Sequence, residues 1–157
     1  YPADTEDLLL LTRALPDVPV IYQNYVLDAY GVVAARAAGA SAIWLYSDLL
    51  PPEELRELVS TAQRWKMDVY LQVGSETPLS LIDMLSPHIL CYSGPLDTFP
   101  AWRATLPGWY EPMLSAGYHT PEALAHTQQI AASAVLMTPK LFTNPRALNI
   151  LAQNDDL

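Results

Sequence analysis

Short apolar runs rich in β-branched and aromatic residues alternate along this chain with longer segments of helical period. The pattern predicts a helix over Thr5–Leu15, with Leu8, Leu11 and Leu15 on one stripe, then a strand over Val18–Tyr22. Ala29–Ala38 reads as a small-residue helix stopped at Gly39, and Ala42–Tyr46 as a second strand. The clearest helical period runs from Pro52 to Lys66, with Leu55, Leu58, Val59 and Ala62 on one face. Further strands are predicted at Asp68–Val73, Ile89–Tyr92, Pro112–Ser115 and Ala134–Met137, and helices at Leu79–Leu85, Pro121–Ile130 and Pro145–Ala152. The connection around Trp102–Leu106 has no clear pattern. Thr120-Pro121-Glu122 and Asn144-Pro145 each place a capping residue before a proline at the first helical position. Strands alternating with helices imply βαβ units and a parallel sheet. Six such units fit either an open doubly wound sheet or an incomplete barrel.

Composition narrows the function classes. At 157 residues the chain is expected to form one domain, 1–157. Lys+Arg 8 against Asp+Glu 17 gives a net charge of −9, which argues against nucleic acid or an acidic membrane surface as partner. No apolar run approaches the roughly 20 residues of a membrane span, and Leu8–Leu11 is too short for a signal-peptide core. Cys91 is the only cysteine. It allows no internal disulfide and leans towards a reducing, cytoplasmic setting.

The segment from Pro19 to Gly39 chooses between the two folds. Pro19-Val20-Ile21-Tyr22-Gln23-Asn24-Tyr25, followed by Ala35-Arg36-Ala37-Ala38-Gly39-Ala40, resembles the third strand and third helix of indole-3-glycerol phosphate synthases. There the strand reads Pro-Val-Leu-Arg-Lys-Asp-Phe and the helix ends Ala-Arg-Ala-Ala-Gly-Ala. The resemblance continues in order. Glu54-Leu55-Arg56-Glu57-Leu58 is similar to the fourth helix, Met67–Val73 to the fifth strand and Ile89–Leu96 to the sixth. Gly117 falls on the glycine of strand seven, and Ala134–Leu141 on strand eight. The resemblance implies an incomplete TIM (β/α) barrel of about six parallel βα units. It begins at the family's second helix, so the first two strands have no counterpart in this sequence.

The family's reaction closes an indole ring with loss of carbon dioxide and water, using a lysine and glutamates at strand ends. The resemblance puts the catalytic lysine of strand three on Gln23, the aspartate beside it on Asn24 and the phenylalanine on Tyr25. The strand-five glutamate falls on Gln72, and Asn-Asn-Arg-Asp of strand six on Tyr92-Ser93-Gly94-Pro95. The strand-seven glutamate falls on Ser115, its neighbouring serine on Ala116, and the phosphate-binding pair of strand eight on Thr138-Pro139. An amide neither gives nor takes a proton at neutral pH, and Pro139 has no N–H for a phosphate. No catalytic residue is therefore assigned, and the expectation is a catalytically inactive relative serving as a binding or structural subunit of a larger assembly. One alternative is a carbon–carbon lyase of the same kind in tryptophan biosynthesis, completed by a missing segment or a partner chain.

With Gln23 and Gln72 facing the barrel mouth, strand alternation and the family register turn Ile21, Tyr25, Trp44, Tyr46, Tyr70, Leu90 and Tyr92 the same way. Two readings follow. The aromatics plug a disused cavity, or they line a neutral pocket for a small uncharged ligand; Gly117 and Thr138 complete the ligand-binding candidates, and a phosphate bound near them would mark the enzyme alternative. No cofactor is implied. His88, His119 and His126 lack metal-ligand spacing and read as surface or capping histidines, and Ser93 and Ser115 lack a nucleophile elbow. Glu53, Glu54, Arg56 and Glu57 read as a solvated helix face. Met113 and Met137 read as core, while Trp65, Trp102 and Trp109 are candidates for contact surfaces. Six parallel strands leave two open edges, so another protein subunit or self-association is the expected partner.

Overall fold

The computed structural model describes residues 4–118, 120–127, 130, 134–137 and 139–152; the side chains at 116–118, 137, 140, 142, 151 and 152 lie outside that description. The chain divides into two compact units, Tyr1–Leu90 and Cys91–Leu157.

In the first unit Asp4 opens α1 (Thr5–Ala14), its Oδ1 accepting the N–H groups of Glu6 and Asp7, each at 2.9 Å. Two donors that a helix start leaves unpaired are thereby satisfied. The strand predicted from Val18 contracts to β1 (Ile21–Tyr22), since Pro19 has no N–H for a ladder. Asp28 caps α2 (Ala29–Ala37) through Gly31 N–H at 2.8 Å. β2 (Ala42–Tyr46), α3 (Pro52–Arg64), β3 (Asp68–Val73) and α4 (Leu79–Leu85) follow. β2 pairs in parallel with β1 on one side and β3 on the other.

The expected α3 stripe is the core of this unit: Leu55, Leu58, Val59 and Ala62 are all buried. Against them lie Ile43 and Leu45 of β2 and Val69, Leu71 and Val73 of β3, each at most 1% exposed. The alternate residues of β3, Tyr70 and Gln72, are half-buried. One sheet face thus carries the hydrophobic core, and the other carries the predicted site.

In the second unit β4 (Ile89–Tyr92) supplies Cys91 and Tyr92, which pair in parallel with Met113 and Leu114 of β5 (Met113–Tyr118). β6 (Ala134–Met137) lies parallel to β5, with a register shift between Leu114 and Tyr118. The segment without a predicted pattern holds a 3-10 turn, Leu96–Thr98, and a five-residue α5 (Phe99–Arg103). An element that short cannot establish a period. α6 (Pro121–Thr127), α7 (Pro139–Phe142) and α8 (Pro145–Ala152) complete the unit, α7 being a single turn that no periodicity predicts. Both expected caps form: Thr120 Oγ1 accepts from Ala123 N–H at 3.2 Å and Asn144 Oδ1 from Arg146 N–H at 3.0 Å.

Gly39 ends α2 with φ +97°. A Cβ there would lie 2.7 Å from Thr12 Oγ1, the hydroxyl that donates to Ala38 O at 2.7 Å. Gly39→Ala is therefore expected to destabilise the chain by about 2 kcal/mol, combining left-handed strain with loss of the α1–α2 contact. Urea unfolding measures it.

Candidate functional site

Register builds the first half of the site. Pairing sets Trp44 beside Tyr70 and Tyr46 beside Gln72, and paired residues of parallel strands share a face. Trp44 is 2% exposed and stacks on Tyr70, with centroids 6.0 Å apart and planes at 17°. Its Nε1–H donates to Gln72 Oε1 at 3.2 Å. Tyr46 is hydrogen-bonded to the Gln23 side chain, and its ring meets Tyr25 with centroids 5.3 Å apart. Burial raises the Tyr46 hydroxyl above its ordinary pKa, opposed by the Gln23 hydrogen bond and reinforced by Tyr25. Asn24 Nδ2 donates to Tyr22 Oη at 3.0 Å, and its Oδ1 accepts from Tyr25 N–H at 2.7 Å.

Gln23, Tyr25, Trp44, Tyr46, Tyr70 and Gln72 therefore do come together in the first unit, as expected. Two details differ. Tyr25 is 65% exposed, because β1 stops at Tyr22 and Tyr25 lies beyond the ladder, while Ile21 is 40% exposed on the edge strand.

Tyr92 belongs to another cluster. It is wholly buried, with its ring 4.5 Å from that of Trp102 and 5.3 Å from that of Phe99, centroid to centroid. Its hydroxyl is hydrogen-bonded to Thr98 Oγ1 and Pro95 O. Gly94 makes room for it, since a Cβ there would collide with the Tyr92 hydroxyl. Thr98 and Gly94 were not legible as partners of Tyr92, because they sit in the stretch without periodicity. Tyr92 also pairs with Leu114 rather than Ser115, so Tyr92 and Ser115 occupy opposite faces; Ser115 Oγ instead donates to Tyr92 O at 3.1 Å. Gly117 lies in β5. Thr138 and His119 lie outside the described residues, as does the side chain of Met137.

Three of the remaining candidates sort by burial. Trp102 is a core residue at 6% exposure, not a contact surface, and its Nε1 is buried without a hydrogen-bond partner among the described residues. Trp65 and Trp109 are exposed, at 49% and 77%. His88 Nδ1 accepts from Val69 N–H at 3.1 Å while its Nε2 lies 3.5 Å from Asp68 Oδ1, so it caps the start of β3. His126 is exposed on α6, and Met113 is half-buried. Among the described residues, no group of three His, Cys, Asp or Glu is placed to hold a metal, and no helix is long and apolar enough to cross a membrane.

Parallel strands alternating with helices, with polar side chains at strand ends, define an α/β protein of the barrel kind. Solved structures agree: the tryptophan synthase alpha subunit of Legionella pneumophila superposes with TM-score 0.68 at 18% identity, over 96% of this chain and 62% of that one. That likeness shows the fold, an incomplete (β/α) barrel. The family profile of indole-3-glycerol phosphate synthase matches residues 3–91, and the chain belongs to that family. An indole-3-glycerol phosphate synthase of Roseiflexus sp. is 28% identical over 142 residues, 84% of this chain and 53% of its own length. Another, from Bordetella pertussis, is 31% identical over 114 residues, 72% of this chain and 43% of its own. The chain thus spans about half the length of these relatives.

Two outcomes follow from this geometry. Gln72→Met removes the acceptor of the buried Trp44 N–H and is expected to cost about 1–2 kcal/mol in urea unfolding, whereas Gln72→Glu keeps an acceptor and costs less. Burial pushes the Cys91 thiol up to about 12 from 9.0. The unfolded thiol ionises first, so this contribution to stability is complete below pH 9 and is lost as pH rises towards 12. A thiol reagent at pH 8 should accordingly label Cys91 only after denaturation.

Proposed function

We propose that this chain is a non-catalytic relative of indole-3-glycerol phosphate synthase that serves as a binding or structural subunit of a larger assembly. The observation that carries this reading is the Trp44–Gln72 hydrogen bond. Gln72 stands where the family resemblance places a glutamate, and its amide oxygen is engaged by an indole N–H. Gln23, at the lysine position, is engaged by Tyr46. Neither amide supplies a proton at neutral pH or a full charge for a developing anion. Binding of a planar, uncharged ligand is a second reading, favoured by the Trp44–Tyr70 stack, in which Tyr70 is only half-buried, and by exposed Tyr25 against Tyr46. A synthase whose charged groups come from another chain is the enzymatic rival.

An indole-forming assay with the family's phosphorylated substrate separates these. The chain is expected to give no turnover above the uncatalysed rate. Turnover abolished by Gln23→Ala or Gln72→Ala would overturn the inactive reading.

A further inference from the structure

Away from the aromatic face, α2 and α3 form a strip whose two ends carry opposite charge. At their N-terminal ends Asp28, Tyr30, Glu54 and Glu57 line a groove of about 410 Å³. At their C-terminal ends Arg36, Arg64, Trp65 and Lys66 line another of about 460 Å³. Three carboxylates face one groove and three cations the other, in a chain with Lys+Arg 8 in all. Charge separated in this sense is what two helix dipoles favour, and alone it would indicate only that the helices run parallel.

Two further features point to an occupant. A large aromatic stands exposed at each groove, Tyr30 at 79% and Trp65 at 49%, where a solitary helix face would carry polar side chains. The cations are also pre-positioned. Arg36 Nη1 donates to Ala40 O and Arg64 Nη2 to Thr61 Oγ1, each at 2.9 Å, which holds both guanidinium groups at the groove with further N–H donors to offer. At the opposite end Arg56 pairs with Glu53 at 3.8 Å, leaving Glu54 and Glu57 to give that groove its charge.

We propose that a second copy of this chain docks here about a two-fold axis. Turned antiparallel, the strip lays its acidic end on the basic end of its partner twice over, so the contact closes on itself as an isologous interface. Glu54 and Glu57 of one copy then face Arg64 and Lys66 of the other, and Tyr30 and Trp65 enter the opposed grooves. This names a partner for the assembly half of the function proposed above and rests on that half alone.

Sedimentation of the 157-residue chain tests it, independently of the indole assay. A dimer is expected at low salt, weakening in 1 M salt as the pairs are screened. Glu57→Arg and Arg64→Glu should each weaken association about tenfold or more, and the double swap should restore it, because each copy again meets its complement. Circular dichroism verifies that these surface variants fold. A monomer at every concentration, a double swap that stays dissociated, or an open-ended polymer would overturn the two-fold interface. Dimerisation accompanied by turnover would leave the interface standing and remove only the inactive reading.

Discussion

The β2–β3 ladder sets Trp44 beside Tyr70 and Tyr46 beside Gln72, and it is held there by what lies on its opposite face. Ile43, Leu45, Val69, Leu71 and Val73 are each at most 1% exposed. At roughly 2 kcal/mol for each side chain buried, a slip of one residue would forfeit on the order of 10 kcal/mol, comparable with the whole stability of a domain. Such a slip would also turn every side chain of the strand to the other face. The aromatic face therefore has its arrangement imposed by a core that takes no part in it.

That arrangement shapes what the chain can do chemically. The polar groups on this face satisfy one another: Gln72 with Trp44 and Gln23 with Tyr46. Hydrogen bonds of this kind hold aromatic rings in place at modest net gain. They do not provide the ion that stabilises charge in a transition state. A planar neutral ligand would find stacking surface here, whereas an anion would find amides and phenols.

Much of this was legible in the residues. Short apolar runs marked β2, β3, β4 and β6, and helical period marked the buried stripe of α3, because a packed core writes its pattern into the sequence. Strand alternation put Tyr70 on the face of Gln72, and the register that the resemblance implies put Trp44 and Tyr46 there. Tyr92 did not follow. Its side chain is claimed by Phe99, Trp102 and Thr98, which belong to elements too short to show a period, and β4 pairs so that Leu114 rather than Ser115 stands beside it. Tyr25 meets Tyr46, but its exposure depends on β1 ending at Tyr22, a boundary that hydrophobic pattern does not mark. The grooves along α2 and α3 were invisible for a different reason. Glu54 and Glu57 look like any solvated helix face until Asp28 and Tyr30 of the neighbouring helix are seen beside them.

On the inactive reading proposed above, the positions that are charged in the family form a neutral, self-satisfied aromatic face. Isothermal titration of the chain with the family's phosphorylated substrate is the sharpest test, since binding an anion calls for charge that these side chains do not carry. No saturable heat is expected. A saturable isotherm that disappears in Gln72→Ala would contradict the inactive reading.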